Sequence, residues 1–245
     1  MLIDAHCHIN CLGQDKISDL VLLDNHIFID SSINYSSSLD SLKLSQQHKS
    51  IYSALGFHPF EAEGFSRETL NDYQALIDSK SKIVAIGEVG LDEKAKIPLE
   101  QQEKVFIAFI KLAKKNNLPL LIHNRLNSLR ILEILDSNFT SYETIVFHCF
   151  SYSQDFLSKI VQKKGYTSFS LNILRKKPAL LQALKACPLE NLLLETDSPY
   201  MKIAGCDSTP MDIDKVYNFC SEVKGLAQSS LEEKVYSNAK RLFSL

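Results

Sequence analysis

The sequence predicts a single α/β domain over residues 1–245, folded as a closed (βα)8 TIM-like barrel. Three observations support this prediction. Short apolar segments alternate with amphipathic segments of helical period, and the length is close to the roughly 250 residues that such a barrel needs. Histidines or carboxylates also follow five of the eight apolar segments. An open doubly wound sheet gathers its site at one crevice, whereas a closed barrel brings its first and last strand ends together with the middle ones.

The eight apolar segments predict strands because they are short and alternate with segments of helical period. The first segment, Met1–Ile3, runs directly into Asp4-Ala5-His6-Cys7-His8. The other predicted strands are His26–Asp30, Ile51–Gly56, Lys82–Gly87, Leu120–Ile122, Thr144–Phe147, Tyr166–Leu171 and Leu192–Leu194.

Helices are predicted between the strands, where apolar residues recur at helical spacing. The clearest helix spans Leu99–Asn117, and Pro119 follows its end. A capping box, Ser230 with Glu233, predicts the start of the last helix. The remaining predicted helices are Gln14–Leu23, Leu39–His48, Arg67–Asp78, Leu126–Asp136, Phe156–Lys164, Pro178–Ala186, Asp212–Lys224 and Ser230–Phe243.

Composition limits the classes of partner. The 27 basic and 29 acidic residues nearly balance, so any contact with nucleic acid has to be local. The six cysteines form no CxxC pair, which indicates free thiols in a reducing compartment. No apolar run approaches about 18 residues, so we expect no membrane partner and a cytoplasmic protein. Nothing in the sequence indicates a protein partner.

The residues that follow the strands predict a metal centre. His6 and His8 share one strand face because side chains alternate along a strand. Any one such histidine taken alone could be merely buried and hydrogen-bonded, but convergence at five strand ends favours metal ligation. The six candidate ligands are His6, His8, Glu88, His123, His148 and Asp197.

This donor set indicates which ions would bind. Imidazoles with carboxylates suit Zn²⁺, Mn²⁺, Fe²⁺ or Ni²⁺, and Mg²⁺, which prefers oxygen ligands, stays a further candidate. Six donors exceed the four of one tetrahedral ion, so we expect two divalent ions. Glu88 would bridge them, since a carboxylate can give one oxygen to each ion.

Seven motifs, in order along nearly the whole chain, carry a resemblance to a known family. They are Asp4–His8, Gly56–Pro59, Gly87–Asp92, Leu118–Arg125, His148–Ser151, Leu194–Tyr200 and Asn238–Phe243. With them the chain resembles the TatD-family metal-dependent hydrolases, a branch of the amidohydrolase-like barrels.

The resemblance implies a TIM-like barrel and a metal-dependent phosphodiesterase, usually a deoxyribonuclease. It also implies a division of the ligands. One ion would take His6, His8, Glu88 and Asp197, and the other Glu88, His123 and His148.

The sequence departs from the family pattern around the predicted substrate rim. Glu93 stands where an aromatic residue is usual, Tyr152 where glycine is usual, and the segment around Thr209 keeps only the proline of an Arg-Asn-Glu-Pro-like motif. The reaction type is therefore better indicated than the substrate.

Five residues are assigned roles in the reaction. Glu88 is expected to act as the bridge and Asp197 as the proton acceptor for the attacking water. His58 could touch a substrate phosphate or a metal-bound water, or could form a structural His-Pro turn. Arg125 could fork onto phosphate oxygens or form a rim salt bridge. Asp92 could orient a metal ligand from the second shell or pair with a rim cation.

Two basic runs and two cysteines have alternative interpretations. Arg175–Lys177 and Lys163–Lys164 could contact nucleic acid or be solvated faces. Cys7 and Cys149 adjoin predicted ligands, and strand alternation predicts that both point away from the site.

We therefore expect a divalent-metal-dependent phosphodiester hydrolase, a TatD-type deoxyribonuclease that acts on DNA ends or single strands through a metal-activated water. DNA or an oligonucleotide would be the partner, and aromatic residues near the barrel mouth could stack on its bases. The alternative is a metal-dependent ester or amide hydrolase, such as an aminoacyl-tRNA deacylase or a small-molecule amidohydrolase. A non-catalytic scaffold is disfavoured by the intact ligand set. The aromatic candidates are Phe57, Phe60, Phe150, Tyr152 and Tyr200.

Overall fold

Eight parallel strands form the centre of the molecule, and each pairs with the next in sequence order. This computed structural model describes residues 1–79, 82–203 and 205–245. The strands alternate with helices in a (βα)8 barrel, which confirms the predicted fold class. The strands are β1 Leu2–Cys7, β2 His26–Ser31, β3 Ile51–Leu55, β4 Ile83–Asp92, β5 Leu120–Arg125, β6 Ile145–Phe147, β7 Tyr166–Phe169 and β8 Leu192–Leu194.

The helices surround the strands and bury their apolar faces against them. The helices are α1 Gln14–Val21, α2 Tyr35–Gln47, α3 Arg67–Asp78, α4 Leu99–Asn116, α5 Arg130–Asn138, α6 Gln154–Gln162, α7 Pro178–Ala186, α8 Ile213–Lys224 and α9 Gln228–Phe243. A short antiparallel hairpin, β9 Lys202–Ile203 with β10 Cys206–Asp207, follows β8. The sequence does not predict this hairpin, because two-residue strands leave no periodic signal.

Three strands extend further toward the site than predicted. β1 reaches Cys7, β4 reaches Asp92 and β5 reaches Arg125. The prediction ended each strand where polar residues began. In the barrel, however, the strands continue through these positions, and Asp4, Asp92 and His123 are still paired with a neighbouring strand. As a result Glu88 and His123 lie within strands rather than just beyond them.

Four predicted helix starts differ from the structure by two residues or more. The helix predicted from Leu39 begins at Tyr35, where the Asn34 side chain accepts a hydrogen bond from the Ser37 backbone N–H. The helix predicted from Phe156 begins at Gln154.

The other two starts also have local causes. The helix predicted to begin at Leu126 begins at Arg130, because the backbone N–H of Leu126 instead donates to the Tyr152 hydroxyl. The last helix begins at Gln228, two residues before Ser230, and no side chain caps it. The Ser230 capping box is therefore not formed.

The barrel closes between β1 and β8 through a buried side chain and through backbone hydrogen bonds to the segment after β8, one of which runs from the Asp197 N–H to the His6 carbonyl at 3.0 Å. The fully buried carboxylate of Asp4 accepts hydrogen bonds from the Thr196 backbone N–H at 2.9 Å and the Thr196 hydroxyl at 2.6 Å. Beyond it, the backbone N–H of His8 donates to the Ser198 carbonyl at 2.8 Å. These contacts bring the ends of the first and last strands to one place.

Two glycines allow β4 to lie close to its neighbours. A Cβ at Gly56 would overlap the backbone nitrogen of Glu88 and the carbonyl of Ser32. Gly90 has a φ of +153°, and a Cβ there would overlap the His123 carbonyl. Close backbone approach on both sides of β4 therefore fixes the position of Glu88.

The six cysteines are free thiols. In the ranges that the structure describes, no helix combines the length and apolarity needed to cross a membrane.

Candidate metal centre

The C-terminal ends of the strands bring all six predicted ligands together. Five of them line one cavity of about 620 Å³, and His6 lies fully buried beside them. The lining ligands are His8, Glu88, His123, His148 and Asp197.

One group of donor atoms is built by β1, β4 and the turn after β8. The Nε2 atoms of His6 and His8 lie 3.1 Å apart. Glu88 Oε2 lies 3.5 Å from the first nitrogen and 3.6 Å from the second. Asp197 Oδ1 lies 3.9 and 3.8 Å from the same two atoms. Two imidazoles and two carboxylates thus face one point.

A second group forms on the other side of Glu88. Its Oε1 atom lies 2.5 Å from His123 Nδ1 and 2.7 Å from His148 Nε2. The two imidazole nitrogens are 3.3 Å apart. The two oxygens of one carboxylate therefore face two different pairs of histidines.

The residues present fit divalent ions. Ligands of one tetrahedral ion at about 2.0–2.1 Å lie roughly 3.3 Å from each other. In the first group, the two histidine nitrogens lie 3.1 to 3.9 Å from each other and from the two carboxylate oxygens. Imidazole and carboxylate donors suit first-row divalent metals. The two sides of Glu88 also correspond to the division of ligands that the family resemblance implies.

Three histidines are oriented by hydrogen bonds from their other ring nitrogen. His8 Nδ1 donates to the Ser31 carbonyl at 2.9 Å, and His6 Nδ1 lies 3.1 Å from the Ser31 hydroxyl. His123 Nε2 donates to Asp92 Oδ2 at 3.0 Å. Such partners fix the ring orientation and leave the opposite nitrogen for an ion. Asp92 thus contacts a predicted ligand and also lies 4.0 Å from Arg125 Nη1, so both interpretations of Asp92 have a contact in the structure. The sequence does not predict the part played by Ser31, because it includes a backbone carbonyl.

Glu195 is a buried carboxylate that the predicted ligand set omits. Its Oε1 accepts a hydrogen bond from the Cys149 backbone N–H at 2.6 Å and lies 3.5 Å from His148 Nδ1. Its Oε2 has no partner among the described residues. Its place directly after β8 is the signal that could have identified it, because the predicted ligands also lie at the ends of predicted strands.

Burial and neighbouring charge perturb the ionisable groups of the centre. Burial raises the pKa of Asp197 to about 7. Burial would also raise the pKa of Glu88, but the adjacent histidine charges hold it well below its usual value. Burial opposes the protonation of His148, yet the charge of Glu88 raises its pKa well above its usual value. Binding of an ion would thus release a proton from His148.

His58 and Arg125 both line the cavity. His58 Nε2 lies 3.5 Å from Glu88 Oε1, while its Nδ1 accepts from the Phe60 backbone N–H at 3.1 Å. His58 therefore faces the metal centre, as a site residue would, and also supports the turn at Pro59, as a structural residue would. The Arg125 side chain is 56% exposed, and its Nη1 is 4.0 Å from Asp92 Oδ2. At that distance the ion pair leaves the guanidinium accessible from the cavity.

The expectation for Cys149 is wrong. Its φ of +44° places the backbone in the left-handed region, so strand alternation no longer applies and the residue lines the cavity. Cys7 does point away, since it is fully buried and its Sγ lies 3.5 Å from the Ile29 carbonyl.

The aromatic prediction holds for only two of the five residues. Phe60 and Tyr200 line the cavity and are 51% and 53% exposed. Phe57 and Phe150 are buried in the core, so a base cannot reach them. Tyr152 donates its hydroxyl to the Asn124 carbonyl and supports the segment after β5.

The other two departures from the family pattern have local partners. Glu93 accepts a hydrogen bond from the Asn127 side chain at 2.7 Å. Thr209 precedes the short 3₁₀ helix Pro210–Asp212, and Asp212 accepts from its backbone N–H at 2.8 Å. Both contacts order the rim.

A family model described as TatD related DNase matches residues 3–244 of the chain. The chain is 29% identical, over 100% of both chains, to the uncharacterized metal-dependent hydrolase YabD of Bacillus subtilis. It is also 29% identical to the 3′-5′ ssDNA/RNA exonuclease TatD of Pantoea ananatis, over 83% of this chain and 82% of that protein. The crystal structure of YjjV, a TatD homologue from Escherichia coli K12, superposes with a TM-score of 0.92 at 25% identity and covers 100% of this chain and 98% of that one.

Proposed function

Since this chain belongs to the TatD-related DNase family of metal-dependent hydrolases, we propose that it hydrolyses phosphodiester bonds in single-stranded DNA or at DNA ends. The observation that carries the proposal is the position of Glu88. Each of its carboxylate oxygens faces a separate pair of histidines, which is the arrangement for two ions that share one bridging ligand. Two-ion sites recur in nucleases and phosphatases.

The residues of the site would have two roles, metal binding and proton transfer. His6, His8, Glu88 and Asp197 would hold one ion, and Glu88, His123 and His148 the other. When bound, such a pair supplies Lewis-acid polarisation of the phosphoryl oxygens and a water activated at neutral pH. Asp197 would accept a proton from the attacking water and pass it to the leaving oxygen.

The rim of the cavity supports a nucleotide substrate. Arg125 offers a planar guanidinium that can pair with two phosphate oxygens. The exposed rings of Phe60 and Tyr200 offer stacking faces for bases. These features favour an oligonucleotide over a small amide, which would need no cationic rim.

The experiment compares three substrates with the protein loaded with Mn²⁺ or Zn²⁺. They are a 3′-labelled single-stranded oligonucleotide, the same sequence as a blunt duplex, and an aminoacyl-tRNA ester. We expect cleavage of the single strand, less cleavage of the duplex interior, and loss of activity when the metal is chelated. The matched controls are Lys164→Ala, at the opposite end of the barrel, and Glu88→Ala. The first should keep full activity and the second none.

Hydrolysis of the aminoacyl ester without cleavage of DNA would replace the proposal with the deacylase alternative. Full cleavage by a preparation shown to be metal-free would refute it outright.

A further inference from the structure

One wall of the cavity carries positive charge that the metal centre does not use. The segment after β7 forms a short 3₁₀ helix, Leu171–Arg175, and leads through Lys177 into α7. Arg175 and Lys177 are exposed and line the same cavity as Glu88. Neither has an acidic partner within the described residues.

The middle residue of this basic run behaves differently. Lys176 has a φ of +53° and its ammonium lies 5.8 Å from the centre of the Phe219 ring on α8. It does not line the cavity. The left-handed turn at Lys176 therefore directs the two flanking cations into the cavity and the central one away from it.

The start of α7 adds uncharged donors to the same wall. Pro178 has no N–H, and among the described residues no side chain caps the first turn. Ala179 and Leu180, whose amides belong to this turn, line the cavity. Such amides at a helix N-terminus favour an anion.

A buried amide completes the wall. Asn172 is 8% exposed and lines the cavity, and its Oδ1 atom has no partner among the described residues. Its Nδ2 contacts the Phe150 carbonyl at 3.3 Å. The free Oδ1 atom is a hydrogen-bond acceptor, so it marks a place where a donor group of a ligand is expected, such as a base N–H or a sugar hydroxyl next to the phosphate.

We propose that this wall, formed by Arg175, Lys177 and the first turn of α7, binds a second backbone phosphate of a single-stranded nucleic acid. The scissile phosphate of the same strand lies at the metal centre, so the inference rests on the proposed function for that group. Loops after the seventh strand commonly bind phosphate in barrels of this kind. Here the wall faces a cavity whose opposite side carries exposed Phe60, which suits a strand that passes between cations and an aromatic ring.

The test compares a substrate that has one phosphate with one that has several. Thymidine 5′-(4-nitrophenyl) phosphate presents only the scissile group, whereas a short thymidine oligonucleotide also reaches the wall. We expect Arg175→Ala and Lys177→Ala each to raise KM for the oligonucleotide about tenfold. KM and kcat for the one-phosphate substrate should stay within about twofold. Lys176→Ala is the matched control and should change neither.

A binding measurement separates this inference from the proposed function. Fluorescence anisotropy of a labelled thymidine oligonucleotide is measured in chelator at several salt concentrations. Each lost phosphate contact should reduce the slope of log K against log salt by about 0.7. The wild type could bind the oligonucleotide with a steeper salt slope than Arg175→Ala and Lys177→Ala and yet hydrolyse nothing. That result would support the phosphate-binding wall and refute the proposed nuclease activity.

Equal effects of Arg175→Ala on both substrates would overturn the inference, because the residue would then act on the reacting phosphate or on folding. An unchanged oligonucleotide KM and salt slope in both variants would overturn it as well. Thermal melting of each variant identifies a folding defect, and Arg175→Gln and Lys177→Gln, which keep the length of the side chain, then replace the alanine variants.

Discussion

Replacing Glu88 and Asp197 should separate metal binding from proton transfer. The Glu88 oxygens lie 2.5 to 3.6 Å from one nitrogen of each of the four predicted histidine ligands. Glu88→Ala therefore removes a donor from both groups at once. We expect this variant to lose bound metal and activity together.

Asp197 belongs to only one of the two donor groups, the one that contains His6 and His8. Its Oδ1 lies 3.8 and 3.9 Å from the histidine nitrogens of the first group. Asp197→Asn keeps a neutral oxygen there but removes the proton acceptor. A positioned acid–base group is worth about 10²–10⁴ in rate, which corresponds to about 3–5 kcal/mol of activation free energy. Turnover should drop by that factor while much of the metal stays bound.

The assay combines metal analysis of dialysed protein with single-turnover cleavage of a single-stranded oligonucleotide. Equal melting temperatures show that the variants fold alike, and Glu143→Ala, a carboxylate removed at the opposite end of the barrel, is the control. Near wild-type turnover in Asp197→Asn would remove Asp197 from the base role. If Glu88→Ala retained two ions, Glu88 would not be the ligand that bridges them.

Three further perturbations test separate parts of the structure. Burial raises the pKa of Asp30 to about 7. Ionisation of Asp30 should therefore lower the free energy of unfolding by up to about 4 kcal/mol as the pH rises from about 4 to about 8. Asp30→Asn should lose this dependence in urea unfolding, and parallel profiles for both proteins would contradict it. Arg125→Ala should raise KM for single-stranded DNA and lower the salt slope by about 0.7, and unchanged values would exclude a phosphate contact. Glu195→Gln should weaken metal binding about 10–100-fold in a competition titration, whereas affinity within twofold would show that Glu195 does not support His148.

The sequence was sufficient for the barrel and for the residues that meet at its mouth. Apolar strands that end in metal-binding side chains leave a clear pattern, and His6, Glu88 and Asp197 come from distant strands that only a closed barrel brings together. Strand ends were less predictable. Glu88 and His123 are polar yet lie within strands, whereas polarity alone predicts that the strands end before them.

Residues that depend on backbone conformation or on tertiary partners could not be predicted. Cys149 enters the cavity through a left-handed φ that no local pattern indicates. Ser31 contributes a carbonyl as well as a hydroxyl, and a carbonyl carries no residue-specific signal. The separation of Lys176 from Arg175 and Lys177 likewise appears only once the turn before α7 is formed.

The most direct test of the account is anomalous diffraction from crystals of the protein grown with Mn²⁺. We expect two peaks, one on each side of the Glu88 carboxylate, about 3.5–4 Å apart as in two-metal sites. The first should contact His6, His8 and Asp197, and the second His123 and His148. A single peak, or peaks away from Glu88, would contradict the two-ion centre on which the proposed nuclease mechanism depends.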